Sequence, residues 1–548
     1  MAKRKKSGTV VNPLSDARKA KQRSVDNDEV STSSKEMKVE ILSKADLKAK
    51  ELWFRKSGSG YQLFVEYYAG QPKGIVYDDN DEKSMSKQKN PSTKSNSQGK
   101  GLSRAAKRRK KKNSSRLQKE ENKASVDEEV DVSSSLPPLS EKFKQVLADK
   151  PDCEHIISML SYMSTALPLT LRIRHNSISS EEKRREANDL ISELKEHYSH
   201  LVRPVSYDPS QETIFQATAE SNLSKFSLGK ISPNLKALLV DGTTSGILAR
   251  QELGSMLPVI ALSGINELKK NSRVLDVCAC PGSKTLQALE IVGKKGRIVA
   301  NDVHPLRLDT LKEAVGRSGV SSRLTDRIRY VNYDATKFPT PKSGRLFDCI
   351  IADVPCSGDG TIRKDPHILP SWMPSISNSL HQVQLNILKR ALKLVKVGGV
   401  VSFSTCSMNP IEDEAVVAAA LKWGNRFEDG SVTLVDFPYN SLPGFKTRPG
   451  VKAWRVADYS FNENQSSDIN AEDTDIEGLA KLRWYENCED AEKDGIPHCC
   501  PSLFPPGKKE LDTMHLEKCA RLLPQDNDNG GFFVALLQKH KEVALVKE

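Results

Sequence analysis

From about residue 272 onward the chain repeats one pattern, and that pattern leaves few folds open. Short apolar runs at Arg273–Asp276, Arg297–Asp302, Arg329–Asp334, Asp348–Asp353 and Gly399–Thr405 alternate with stretches of helical periodicity at 283–292, 305–317, 378–395 and 411–423. Runs this short, with little polar alternation, read as strands covered on both faces. Buried strands joined by helical crossovers make a parallel, doubly wound sheet. A further run, Gly531–Leu537, adds another strand. Ligands of such sheets bind beyond the carboxyl ends of the strands. Asp276, Asp302, Asp334 and Asp353 stand at or next to those ends.

The chain before residue 272 is of another kind. Residues 141–164 and 181–198 carry helical patterns and Leu169–Ile173 reads as a strand, which predicts a small α/β module. The formal net charge of +12 lies wholly in residues 1–140, which hold 31 basic and 19 acidic side chains. Its densest block is Lys107-Arg108-Arg109-Lys110-Lys111-Lys112. Such blocks serve as nuclear-import signals or nucleic-acid arms, so nuclear or nucleolar localisation is expected. Residues 79–135 have too little apolar surface to offset ordering entropy and are expected to be disordered. An aromatic island precedes them: Trp53, Phe54, Tyr61, Phe64, Tyr67 and Tyr68. No apolar stretch reaches the roughly 18 residues of a membrane span, and the first residues lack the apolar segment of a secretory signal. Ten cysteines in 548 residues is not the density of a disulfide scaffold, so a reducing compartment and free thiols are expected.

At the end of the first strand of this sheet comes Cys278-Ala279-Cys280-Pro281-Gly282-Ser283-Lys284. A tight turn running into a helix N-terminus favours negative charge, but the glycine spacing of a dinucleotide or triphosphate loop is missing. Asp302 is placed to bind ribose hydroxyls and Asp334 to meet an adenine edge. Ribose and adenine without polyphosphate fit S-adenosylmethionine. At the ends of the fourth and fifth strands stand Asp353 with Cys356, and Cys406. Cysteines at strand ends beside helix starts are accessible and open to pKa lowering. Cys349 and Cys519, the latter placed on a helix, read as core. Cys488, Cys499 and Cys500 lack paired Cys-x-x-Cys spacing, so no metal site is expected there.

A sulfonium methyl donor, a thiol and a carboxyl together suit methylation of cytosine C5. That carbon is a weak nucleophile until a thiolate adds at C6, and a carboxyl at N3 stabilises the adduct. Methylation of oxygen or an exocyclic nitrogen needs no thiol. The residues by themselves leave open which of the two cysteines attacks.

In these motifs, Cys278–Thr285, Asp353–Thr361 and Ser404–Glu414 in that order, the sequence resembles the RsmB/NOP-type (Sun-domain) RNA cytosine-5 methyltransferases over roughly residues 140–548. Within that family it is most similar to the eukaryotic multisite tRNA cytosine-5 methyltransferases, through Gly358–Lys364, Ser502–Pro506 and Met514–Cys519. The resemblance implies a Rossmann-like methyltransferase sheet at 233–548. An N-terminal α/β RNA-binding module at 136–232 would precede it, after a basic, mostly disordered extension at 1–135 with an ordered island at 50–78. It implies S-adenosylmethionine as cofactor, held by Cys278 through Lys284, Asp302, Asp334 and Asp353, and no metal. It implies Cys406 as the C6 nucleophile, Cys356 as the group assisting product release as base at C5, Asp353 at the cytosine, and Lys284 orienting the base or the carboxyl. RNA, most of all tRNA, is the expected partner of a monomeric enzyme. Cys280 replaces a common alanine, and Asp365-Pro366-His367 replaces an asparagine-led loop. Alternatives are an rRNA or DNA cytosine methyltransferase, or a non-catalytic RNA-binding assembly factor on the same scaffold. If the basic extension is an RNA arm, deleting residues 1–135 flattens the salt dependence of RNA binding, measured as the slope of log affinity against log salt.

Overall fold

The computed structural model describes residues 59–72, 153–174, 180–205, 213–292, 295–459 and 482–543. The basic block at 107–112 and the expected disorder at 79–135 lie outside them. In chain order the strands are β1 (Thr170–Ile173), β2 (Val202–Pro204), β3 (Ile214–Ala217), β4 (Leu248–Arg250), β5 (Arg273–Asp276), β6 (Arg297–Asn301), β7 (Ile328–Val331), β8 (Phe347–Asp353), β9 (Val395–Thr405), β10 (Val432–Val435), β11 (Arg448–Pro449), β12 (Val456–Tyr459), β13 (Leu482–Tyr485), β14 (Ala520–Leu522) and β15 (Phe532–Lys539). The main helices are α1 (Ser59–Gly70), α2 (Cys153–Met163), α3 (Glu181–His197), α4 (Pro233–Thr244), α5 (Leu253–Gly264), α6 (Ser283–Val292), α7 (Pro305–Arg317), α8 (Pro374–Leu394) and α9 (Glu414–Gly424).

The expected doubly wound sheet is present. β7, β6, β5, β8 and β9 lie side by side in that order, all parallel. β15 runs antiparallel beside β9, followed by β14 and β11, and β10 also pairs with β15, so the whole sheet is mixed. From β5 the chain winds one way to β6 and β7, then returns to β8 on the other side of β5. The carboxyl ends of β5 and β8 therefore flank the switch point where such sheets bind ligands. Side chains alternate between two cores: Ile350, Ala352, Val401 and Phe403 face one, and Cys349, Ile351 and Val400 face the other. The third run is shorter than expected. It stops at Val331, and Asp334 instead caps a 3₁₀ turn by accepting the Thr336 N–H at 2.8 Å. Cys519 is buried as expected, but it stands in extended backbone between a 3₁₀ turn and β14, not on a helix.

The small module is an antiparallel sheet, β2-β3-β1-β4. Ala187, Leu190 and Leu194 of α3 and Leu235 and Leu239 of α4 share one core with Leu171, Phe215 and Leu248. The expected limit at residue 232 is therefore too early, because α4 and β4 complete this core. β2, β3 and β4 have three or four residues each, too short to show a period in the sequence.

The aromatic island is part of the main core. Leu63, Phe64, Val65, Tyr67 and Tyr68 of α1 are buried with residues of α8, β8 and β9. Trp53 and Phe54 lie outside the described residues. Because α1 belongs to the main core, the salt-dependence test is best made by removing residues 79–135 alone. Among the described residues no helix is long and apolar enough to cross a membrane. Phe64 is fully buried edge-on to Trp372, with ring centroids 5.2 Å apart. Phe64→Ala is expected to lower stability by about 3–5 kcal/mol, read by denaturant unfolding of the whole chain.

Candidate active site at the carboxyl ends of the parallel strands

β8 and β9 pair in parallel with Asp353 opposite Ser404. The loops that follow them therefore leave the sheet together, one carrying Cys356 and the other Cys406. The two free thiols are half-buried and their sulfurs are 3.2 Å apart. Beside them Asp353 is held at both oxygens. The Ser404 hydroxyl donates to Oδ1 at 2.7 Å and the Lys284 ammonium, from the first turn of α6, to Oδ2 at 2.7 Å. Lys284 also donates to Ser255 Oγ at 2.9 Å and lies 5.2 Å from the centre of the Phe532 ring. Burial opposes the charge on Lys284, but the Asp353 carboxylate outweighs it and raises the pKa of the ammonium. Hydrogen bonding to Cys406, then burial, then the charges of Cys406, Glu412 and Asp353 push the Cys356 thiol well up. Either sulfur can be the donor in their contact.

Both loops are braced from below by buried acids. Glu412 accepts from Ser357 N–H (2.8 Å), Ser357 Oγ (2.5 Å), Gln384 Nε2 (2.9 Å), Ser377 Oγ (2.8 Å) and Ser407 Oγ (2.9 Å), tying the Cys356 loop to the Cys406 loop. Arg521 pairs with Glu414 at 2.7 Å and donates to the Met408 carbonyl. Burial, and then the charge of Glu412, push Asp359 up to about 6. Glu412, Asp413 and Glu414 close the Ser404–Glu414 motif, where no role is expected of them from the sequence. Three adjacent acids beside a serine-rich loop were the available signal.

At the cofactor end, Gly282 has φ +107°, and a Cβ there would come within 2.4 Å of Leu311. Only glycine lets the loop pass between α6 and α7. Asp302 is buried, caps the His304 N–H at 3.0 Å and lies 3.5 Å from the exposed Arg307 guanidinium. Burial, and then the Asp276, Asp353 and Asp302 carboxylates, raise the Cys278 thiol far above its ordinary value. Asp334 is exposed and engaged in its cap. This donor set, with Asp302 and Asp334 near the loop but no phosphate-spaced glycines, fits a nucleoside without a polyphosphate. A hollow of about 430 Å³ opens beside the same loop, lined by Arg172, Arg174, Arg250, Pro281, Gly282 and Ser283. Away from the site, Cys488, Glu492 and Cys499 bring ligand atoms within 4.8 Å of one another, a grouping that the sequence spacing did not reveal.

Asp276, beneath the loop, accepts from Thr285 Oγ1 at 2.6 Å, and burial raises it to about 7. The folded state thus holds a proton that the unfolded chain releases above about pH 3.8. Stability contributed at this position falls as pH rises from about 4 to about 7. Asp276→Asn should gain stability relative to the parent across that window, as denaturant midpoints at a series of pH values will report.

A family model described as "16S rRNA methyltransferase RsmB/F" matches residues 264–447. The Schizosaccharomyces pombe multisite-specific tRNA:(cytosine-C(5))-methyltransferase trm4b is 34% identical over 436 residues, covering 73% of this chain and 58% of that protein. The Saccharomyces cerevisiae multisite-specific tRNA:(cytosine-C(5))-methyltransferase is 36% identical over 316 residues, covering 55% of this chain and 40% of that protein. The chain therefore spans about half the length of the curated relatives it matches. The crystal structure of NSun6 from Pyrococcus horikoshii with SFG superposes with a TM-score of 0.46 at 17% identity, over 73% of this chain and 98% of that one. The segment 264–447 that matches the RsmB/F methyltransferase model holds the motifs in order on one sheet edge.

Proposed function

We propose that the chain is an S-adenosylmethionine-dependent RNA cytosine-5 methyltransferase acting on tRNA. The observation that carries this reading is the contact between two thiols, 3.2 Å apart, beside a carboxylate held by a buried lysine. Cytosine-5 methylation needs that set, and an RNA-binding scaffold does not. The tRNA assignment is favoured over rRNA because relatives named for tRNA match a longer stretch than those named for rRNA, 436 against 180 residues. The Lys107–Lys112 block supports a nuclear or nucleolar location and a salt-sensitive RNA arm.

Cys278 through Lys284 and Asp302, with Asp334 and Asp353, would hold S-adenosylmethionine, which when bound supplies the methyl group. The chain's own residues do the rest. The target cytosine must leave its stack to reach the cleft. Cys406 attacks C6, with the Cys356 thiol hydrogen-bonded to its sulfur. Asp353, oriented by Lys284 and Ser404, meets the N3 edge, where a proton held between its carboxyl and N3 neutralises the charge that develops as the sulfur adds. After methylation the C5 proton and the Cys406 sulfur must both leave. Cys356, as thiolate, takes the C5 proton as the C6–S bond breaks, and Cys406 leaves as its thiolate.

Cys406→Ala is expected to reduce transfer of labelled methyl from S-adenosylmethionine to tRNA to background while cofactor binding persists. Cys356→Ala is expected to accumulate a denaturant-stable RNA–protein band on gels. Bisulfite sequencing of RNA with and without the protein then locates the cytosine. Label appearing in rRNA, in DNA or nowhere would overturn the tRNA reading.

A further inference from the structure

We propose that α1 is a positioning element of the Cys406 loop, acting through the hydroxyls of Tyr68 and Tyr67. This rests on the reading of Cys406 as the nucleophile. The segment Cys406-Ser407-Met408 is gripped at both ends by one turn. The Gly360 N–H donates to the Cys406 carbonyl at 3.0 Å, and the Met408 N–H donates to Asp359 Oδ1 at 2.8 Å. The other oxygen of Asp359 accepts from the Tyr68 hydroxyl at 2.5 Å. One residue further on, Asn409 Oδ1 accepts from the Tyr67 hydroxyl at 2.8 Å and from the Ile411 N–H at 3.0 Å. The backbone around the reactive sulfur is thus held by two side chains, and each accepts a hydrogen bond from a tyrosine of α1.

The helix that supplies those protons is itself firmly seated. A Cβ on Gly60 would lie 2.3 Å from the Leu369 carbonyl oxygen, and one on Gly70 would lie 2.3 Å from the Trp484 ring, so both ends dock with no room to spare. Gln71, just past the helix, exchanges two hydrogen bonds with the Arg455 backbone, at 3.1 and 2.9 Å. Tyr67 and Tyr68 are 1% and 2% exposed and pack on Trp372 and Phe64. Packing explains the rings but not the hydroxyls, since phenylalanine would fill the same space. Asp359 is fully buried and repelled by Glu412, so without the Tyr68 donor it keeps only the Met408 N–H and the Ser407 hydroxyl as hydrogen-bond donors. Its grip on Met408 N–H would then loosen or turn. A nucleophile displaced by about 1 Å loses rate, while substrate affinity, made elsewhere, is kept.

The test uses the full chain with Tyr68→Phe and Tyr67→Phe, and Tyr61→Phe as a control on the same helix. Expected for Tyr68→Phe is a kcat about ten- to a hundredfold lower, with KM for tRNA and for S-adenosylmethionine within about twofold. In the Cys356→Ala background, the rate of forming the covalent band should fall by the same factor. Tyr67→Phe should act in the same direction and Tyr61→Phe should match the parent. Parental kcat in both Tyr67→Phe and Tyr68→Phe, or a loss confined to KM or to the folded fraction, overturns the inference. Absence of methyl transfer by the unaltered chain would overturn the proposed function itself, and the inference with it.

Discussion

The parallel pairing of β8 with β9, Asp353 opposite Ser404, is the constraint from which the rest of the site follows. Parallel neighbours end on the same edge of a sheet, so the loops that leave them start side by side. Residues 50 positions apart in the chain, Cys356 and Cys406, are thereby brought into contact. The same register sets the Ser404 hydroxyl against the carboxyl of Asp353, leaving Lys284 to cover the other oxygen. A slip of one residue would turn Asp353 to the other face of the sheet and dissolve the set.

Holding two loops so close requires polar groups inside the protein, and these are expensive unless satisfied. Glu412, Asp413 and Glu414 are fully buried in succession. Glu412 is satisfied by hydroxyls, an amide and a backbone N–H, and Glu414 by Arg521. Burial raises Asp413 well above the ordinary carboxylate range, with Arg521 opposing that shift and Thr405 donating a hydrogen bond. Such a network gives little net stability, but it admits few alternative arrangements of the loops it ties. Rigidity of the backbone around Cys406 is what the proposed covalent mechanism needs, because a sulfur attacking C6 must meet it at bonding geometry.

The N-terminal quarter divides by chemistry rather than by position. Its basic excess is long-range and electrostatic in kind, while α1 is apolar and acts by contact. Grouping both as one extension follows from their nearness in sequence. The structure places α1 in the same core as β8, β9 and α8.

Much of the fold was legible because it rests on local signals. The bounds of β5, α6 and α7 agree with the apolar periodicity to the residue. The meeting of Asp353, Cys356 and Cys406 followed from strand order and motif. What could not be read was every pairing made across long separations. Tyr68 and Asp359 are 291 residues apart, and Tyr67 and Asn409 are 342 apart. The strands of the small sheet were too short to carry a period, and the gathering of Cys488, Glu492 and Cys499 depends on how one turn folds back. Periodicity reports which face of an element is apolar. It cannot say which distant element covers that face, or which buried hydroxyl answers which carboxylate. Those are settled only when the whole chain packs and each buried polar group must find a partner.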